Sequence, residues 1–221
     1  MNLTVFAATG RIGRHILEQG LAAGHDVTAV VRDPTKLSRR VRTITVDLAA
    51  PDPAALETAV ERADAVLSGL GPRSRAEFGI ASRGTQAIVR AMQATAARRI
   101  VVVSAAPVGT VASPDRPKPP KHDPGDGFVV RAVLAPLIKA VFPRHYADLA
   151  LMEDALRGSG LDWTVIRPPR LTNGPLTGTY RTAFGHNLRR GLHVSRADVA
   201  QLMLQVLERP EAIKEVLGIA Y

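Results

Sequence analysis

A doubly wound α/β fold, built on a mostly parallel sheet, is predicted by three features of this sequence. Short β-branched runs alternate with longer helical patterns through the first half of the chain. The run RRIVVVSAA (residues 98–106) is apolar with almost no alternation, as expected of a parallel strand covered on both faces. Hydrophobic residues make up 46% of the chain and aromatics 4%, so the core must be Ala, Val, Leu and Ile. That core suits α/β layers better than an all-β barrel rich in aromatics. At 221 residues, one domain is expected over residues 1–221.

The elements follow in order. LTVFAA is a strand, and the segment from Arg11 to about Ala23 is a helix. DVTAVVR and VRTITVDL are the second and third strands; PAALETAVERA is helical. DAVLSGLG is a strand opening into a glycine turn, followed by a helix from Ser82 to Ala96 and the fifth strand just described. After Ala106 the composition changes. Ser113 to Gly127 (SPDRPKPPKHDPGDG) is too rich in Pro and Gly for helix or central strand. No second core follows it, so it reads as a long loop leaving the end of the sheet where open α/β folds hold ligands. Phe128 to Pro143 is strongly apolar but broken by Arg131, Pro136 and Lys139. It is too short and too charged to span a membrane, and reads as a lid over the crevice, a packing face for a partner or a membrane-surface contact. Residues 107–145 are thus an insertion within the one domain. A helix from His145 to Arg157 and a sixth strand, LDWTVIRPP, come next. SRAD is a capping box, with Ser195 as cap and Asp198 reaching back, and KEVLGIAY is the last strand.

Composition excludes several functions. There are no cysteines, hence no disulfide, thiolate metal site or cysteine nucleophile. The six histidines show no HxH or HExxH spacing, so no metal site is expected. GxSxG and GxxxxGK[ST] are absent, which argues against serine hydrolases and nucleoside triphosphatases. The net charge of +9 asks for an anionic partner. The basic pairs Arg39-Arg40, Arg98-Arg99 and Arg189-Arg190 are scattered and not interleaved with aromatics, so nucleic acid is not that partner. The opening MNLTVFAATG lacks the basic-then-apolar order of a signal peptide, and a cytoplasmic location is expected.

VFAATGRIG (Val5 to Gly13) carries the chemistry. Gly10 and Gly13 stand at the first strand-to-helix junction, where backbone N–H groups and the helix dipole make an anion site. This is the phosphate loop of a Rossmann-type sheet, with Ala7 in place of the first glycine; a methyl group there is a small change if φ is negative. The second strand ends VVRDPTKL. A protein selecting NAD places an acid here for the ribose 2′-hydroxyl, and Asp33 is the candidate. Arg32 at the tip, Lys36 beyond it and Arg11 in the loop favour a 2′-phosphate, hence NADP, over that reading.

These motifs, with TVDL, LSGLG, VVVSA, SGLDWTVIRPP and NGPLTGTYR in the same order, resemble the atypical short-chain dehydrogenases/reductases. More narrowly, the chain resembles the NAD(P)H-binding, NmrA-like branch that includes biliverdin-IXβ and flavin reductases. The resemblance weakens between Pro107 and Phe142. It implies Thr9, Gly10, Arg11, Ile12 and Gly13 around the pyrophosphate, Arg32 and Lys36 at the 2′-phosphate, and Asp47 and Leu48 beside the adenine. Leu70, Gly71 and Arg73 would line the cofactor at the fourth strand. Ser104 and Ala105 would lie by the nicotinamide ribose, with Pro168, Pro169 and Arg170 by the nicotinamide. Two positions depart from the flavin-reductase type: Ala105 stands for a serine and Arg170 for a histidine.

The Tyr-x-x-x-Lys pair of typical short-chain dehydrogenases is broken, because Ala150 follows Tyr146 and Phe184 follows Tyr180. A ketone reductase must protonate an alkoxide as it forms, whereas hydride addition to a flavin or quinone leaves a delocalised anion for solvent to protonate. The expectation is therefore an NADPH-dependent reductase, monomeric or homodimeric, acting on a conjugated small molecule. Tyr146, Ser104 and Arg170 are the candidate catalytic side chains. A dinucleotide sensor without turnover is the alternative.

Overall fold

The structure, a computed structural model, describes residues 1–72, 74 and 77–221, so Arg73 lies outside the described residues. The first half follows the expected alternation: β1 (Asn2–Phe6), α1 (Gly13–Ala22), β2 (Asp26–Val31), β3 (Arg42–Thr45), α2 (Pro53–Val60), β4 (Ala65–Ser68), α3 (Ile80–Ala94) and β5 (Arg99–Val103). The second half adds α4 (Ala135–Val141), α5 (Pro143–Arg157), β6 (Asp162–Arg167), β7 (Arg170–Thr172), β8 (Arg181–Phe184), β9 (His193–Ser195), α6 (Arg196–Gln205) and β10 (Glu215–Ala220).

The main sheet has the order β3-β2-β1-β4-β5-β6-β10-β8. Its pairings are parallel except the last, where β8 runs antiparallel to β10. Apolar side chains cover both faces, which is why the inner strands read as unbroken apolar runs. One face is filled by Leu56, Ile88, Met92 and Leu156 from α2, α3 and α5. The other is filled by Ile16, Leu17, Leu202 and Met203 from α1 and α6. The strand order reverses between β1 and β4, and the crevice at such a switch point is where open α/β sheets take ligands.

The insertion and the helix that follows it are tied down at several points. Asp148 of α5 caps α3 from outside, accepting from the backbone N–H of Gly79, Ala81 and Ser82 at 3.0, 3.1 and 2.9 Å. Gly79 has φ of +89°, a conformation open to glycine at little cost. The Pro-rich loop is pinned by the buried carboxylate of Asp123, which accepts from Gly125 N at 2.9 Å and Asn187 N at 2.8 Å. The apolar stretch after it is helical, a π turn over Val130–Leu134 leading into α4. Pro136 is tolerated because it sits in the first turn of α4.

Two regions differ from the sequence reading. Between the sixth strand and the cap at Ser195 the sequence reading named no strand, yet β8 pairs with β10, and β7 pairs in parallel with β9 as a small second sheet. The capping box at α6 is also modified. Ser195 Oγ accepts from Asp198 N as expected, at 2.9 Å. Asp198, however, spends its carboxylate on Ser195 Oγ, Thr177, Gly178 and the Tyr221 hydroxyl, and Ser195 N donates to Tyr221 Oη instead. That acid therefore ties the 173–180 segment and the C-terminal residue to the start of α6.

Candidate functional site

A cleft of about 780 Å³ opens along the strand ends where the sheet order reverses. Its floor begins with the β1–α1 loop. Gly10 N donates to Ala7 O at 2.7 Å, closing a tight turn. A Cβ on Gly10 would lie 2.9 Å from that oxygen, and one on Gly13 would lie 2.1 Å from it. Both glycines are thus required by the turn itself, and Gly13 sits buried behind the loop, allowing α1 to approach β1. Ala7 has φ of +55°. The negative φ that would have made its methyl harmless is not what the turn adopts, and alanine bears the left-handed conformation at a cost of about 1–2 kcal/mol. No side chain caps α1; the Arg14 N–H turns back onto Gly10 O at 3.1 Å, and the positive end of the helix dipole faces the loop, as an anion site requires.

The charges around this loop favour a phosphate-bearing ligand. Arg11, Arg32, Lys36, Arg83 and Arg196 line the cleft against Asp33, Asp47 and Glu77. Asp33 shares the cleft wall with these cations. It accepts from Thr35 N and Thr35 Oγ1 at 3.1 and 2.5 Å, starting the turn over Pro34–Lys36. The Lys36 ammonium, 2.8 Å away, and the Thr35 hydroxyl hold its carboxyl down at about 2. Arg32 pairs with Glu77 at 3.0 Å, with nearly half of its side chain exposed. A 2′-phosphate at this place would have to take the guanidinium from that carboxylate.

Arg83 and Arg196 were missed in the sequence. Arg196 is the first residue of α6, and its Nη1 donates to Asn173 Oδ1 at 2.7 Å. Burial, then the nearby positive charge of Arg11, lowers its pKa. Two guanidiniums close enough to repel one another would be relieved by an anion between them. The sequence signal was only the cap Ser195 immediately before it; nothing local says that α6 begins beside the phosphate loop.

Of the residues named from the sequence, Thr9, Gly10, Arg11, Ile12, Arg32, Lys36, Asp47, Leu48, Leu70 and Gly71 meet in this cleft with Ser104, Ala105, Tyr146, Pro168 and Pro169. Arg170 does not join them. It is exposed on β7, with its backbone N–H spent on Leu192 O at 3.3 Å. Its side chain therefore takes no part in the cleft wall.

The far end of the cleft is lined by Ser104, Ala105, His145, Tyr146, Leu149, Pro168, Pro169 and Leu171. Beneath it lies a buried ionic network. Arg167 of β6 forks onto Glu153 of α5 through Nε at 2.8 Å and Nη2 at 2.5 Å. Arg157 adds a second pair to Glu153 at 2.8 Å. Burial pushes the Glu153 carboxyl up, but Arg167, Ser104 and Arg157 outweigh it and hold the group below its ordinary value. Ser104 Oγ donates to this carboxylate at 2.7 Å. An ionised carboxylate only accepts, so the Ser104 proton points into the protein and its lone pairs are what face the cleft. Ser104 can receive a ligand's hydrogen bond but has no proton to give.

Tyr146 is equally ill-suited to proton transfer. Burial raises its pKa, and among the described residues no side chain hydrogen-bonds its hydroxyl. Its neighbour His145 packs ring to ring with it at 5.2 Å. Burial lowers the His145 pKa, with Asp148 opposing weakly, so the imidazole is neutral at pH 7. The cleft has room for a dinucleotide, its far end is walled by Pro168, Pro169 and Leu171, and among the described residues no activated acid lines that end.

Comparison with known proteins agrees with this geometry. The family model for NAD(P)H-binding proteins matches residues 7–210. A 3-diazoavenalumate denitrifying reductase from a Streptomyces species is 34% identical over 72% of this chain and 58% of its own length. A short-chain dehydrogenase/reductase from Veillonella parvula, solved in complex with NADP, superposes with a TM-score of 0.77 at 19% identity, over 100% of this chain and 94% of that one. A putative NADH-flavin reductase from Streptococcus pneumoniae superposes with a TM-score of 0.74 at 24% identity, over 100% of this chain and 99% of that one. These solved structures share the fold, a Rossmann-like α/β domain with a mostly parallel sheet.

Proposed function

The chain belongs to the NAD(P)H-binding family, and from that premise we propose that it is an NADPH-dependent reductase acting on a conjugated small molecule such as a flavin or quinone. The observation that carries this reading is the far end of the cleft. Among the described residues no cation activates Tyr146, and the Ser104 proton is committed to Glu153. A reaction needing simultaneous protonation would be slow there, and one giving a delocalised anion would not. NADPH held in this cleft would supply the hydride. The protein's part is to hold the pyrophosphate on the first turn of α1, flanked by Arg11 and Arg196, and to keep the acceptor against Pro168 and Pro169. Arg32 and Lys36 are assigned the 2′-phosphate. The names borne by the Streptomyces and Streptococcus proteins, a reductase and a putative NADH-flavin reductase, support the reaction class.

The test is NADPH oxidation, followed by its near-ultraviolet absorbance, against a panel of flavins and quinones, with NADH in parallel. Turnover with at least one acceptor and a lower KM for NADPH than for NADH is expected. Tight NADPH binding without oxidation by any acceptor would favour the sensor, which needs the same cleft and no acid.

A further inference from the structure

Both cations assigned to the 2′-phosphate already hold an acid, and the two acids are placed by different means. Lys36 pairs with Asp33 at 2.8 Å, three residues away. Asp33 also accepts from the Thr35 N–H and hydroxyl, so it belongs to the turn over Pro34–Lys36 itself. Arg32 pairs with Glu77 at 3.0 Å, and Glu77 comes from another part of the chain. Arg32 directly follows β2, whereas Glu77 stands between β4 and α3, its N–H donating to Ser74 O at 3.1 Å. β2 and β4 are the two neighbours of β1 in the sheet, so this ion pair joins the cleft walls on either side of the strand that carries the phosphate loop.

The pair is open to water: 47% of the Arg32 side chain and 26% of the Glu77 side chain are exposed. Such a pair adds little to the fold and opens readily. A 2′-phosphate carries roughly two negative charges and forks onto a guanidinium as a carboxylate does. To reach Arg32 it must displace the Glu77 carboxylate. The displaced charge stays in the same cleft wall and repels the newcomer. NADH brings no 2′-phosphate and leaves the pair intact.

We propose that Glu77 sets the cofactor preference of this cleft by competing with the 2′-phosphate for Arg32. The acid lowers the affinity for NADPH and spares that for NADH, bringing the two closer than Arg32 alone would. This rests on the assignment of Arg32 to the 2′-phosphate, which the same experiment checks separately.

NADPH and NADH are titrated into the full chain without any acceptor, and binding is followed by nicotinamide fluorescence at low ionic strength, where screening is weakest. Glu77→Gln removes the charge and keeps the shape. It should tighten NADPH binding about threefold to tenfold, the worth of an exposed ion pair with the repulsion left behind, and leave NADH within about twofold. Arg32→Ala should weaken NADPH far more than NADH, and in the double variant the gain from Glu77→Gln should vanish. NADH tightened by the same factor would make Glu77 part of a general field over the pyrophosphate. NADH alone weakened would make it the acid for the ribose hydroxyl, and NADPH alone weakened would make it the group that aims Arg32. Each of these overturns the proposal, as does a gain that survives Arg32→Ala. Unequal weakening by Arg32→Ala with no gain from Glu77→Gln removes the proposal alone. Equal weakening of both cofactors by Arg32→Ala removes the 2′-phosphate assignment, and the proposal with it.

Discussion

The two ends of the cleft are built by different means. The dinucleotide end is made mostly of backbone: the tight turn at Ala7–Gly10, the uncapped start of α1, and strand ends fixed by parallel pairing. The far end is made of side chains from α5 and β6, held up by ions buried beneath the ligand surface. A backbone site tolerates change everywhere except at its glycines. A side-chain site depends on partners that never touch the ligand, and its weakest point is its buried charge.

That difference is sharpest at Glu153. Glu153→Gln leaves Arg167, 5% exposed, without its counter-charge, and should cost about 3–5 kcal/mol of stability in urea unfolding. Glu153→Leu combined with Arg167→Met should recover most of that loss, since a packed apolar pair often replaces a buried ionic one at little cost. Acidity gives a second readout. The folded pKa of Glu153 lies below its ordinary 4.5. Its contribution is therefore complete above about 4.5 and is lost as the pH falls through the folded value. The acid limb of stability against pH should flatten in Glu153→Gln; an unchanged limb would mean that Asp198, also depressed, dominates it.

At the dinucleotide end the largest effect is expected on cofactor choice. Arg32→Ala should raise KM for NADPH about tenfold to a hundredfold, the worth of a charge-assisted hydrogen bond to phosphate. KM for NADH should move by less than about twofold by the same reasoning, as NADH has no 2′-phosphate to lose. Equal increases for both cofactors would instead assign Arg32 to its pair with Glu77 and to the shape of the cleft wall.

The same contrast separates what was legible in the sequence from what was not. The strand–loop–helix at Gly10 and Gly13, the apolar inner strands and the cap at Ser195 are local patterns, each readable from a few residues. β8 carries no such pattern in RTAF and exists because β10 offers it an open edge. The Glu153–Arg167 fork joins residues from separate elements, one of them within a helix whose sequence reads as ordinary mixed polarity. Arg196 reaches the phosphate loop only because α6 packs against α1. Arg170 erred the other way: adjacency to Pro169 suggested the cleft, but the chain turns at that point into β7 and carries the side chain outward.

Ala7 tests how rigid the backbone end is. Ala7→Gly removes the left-handed strain at φ of +55° but frees the unfolded chain. With strain relief of about 1–2 kcal/mol against an entropy cost of about 0.4–1 kcal/mol, a net stabilisation of roughly 0.5–1 kcal/mol is expected in urea unfolding. A loss of stability would show that the Ala7 methyl makes packing contacts worth more than its strain. NADPH affinity should hardly change, because the turn closed by Gly10 N and Ala7 O keeps its shape either way.

Tyr146→Phe has the smallest expected consequence and bears most directly on mechanism. Tyr146 lines the cleft with its pKa raised by burial, and among the described residues no cation pairs with its hydroxyl. A general acid in this position would be worth about a hundredfold to ten-thousandfold in kcat. If hydride goes to a conjugated acceptor and solvent later supplies the proton, removing the hydroxyl should leave kcat within about threefold of wild type, far below that general-acid range. Single-turnover rates with saturating NADPH would separate this chemistry from product release. A hundredfold fall confined to the hydride step would make Tyr146 the proton donor after all. The acceptor would then be a carbonyl whose alkoxide must be protonated as it forms, and the far end of the cleft would be as chemically active as the cofactor it faces.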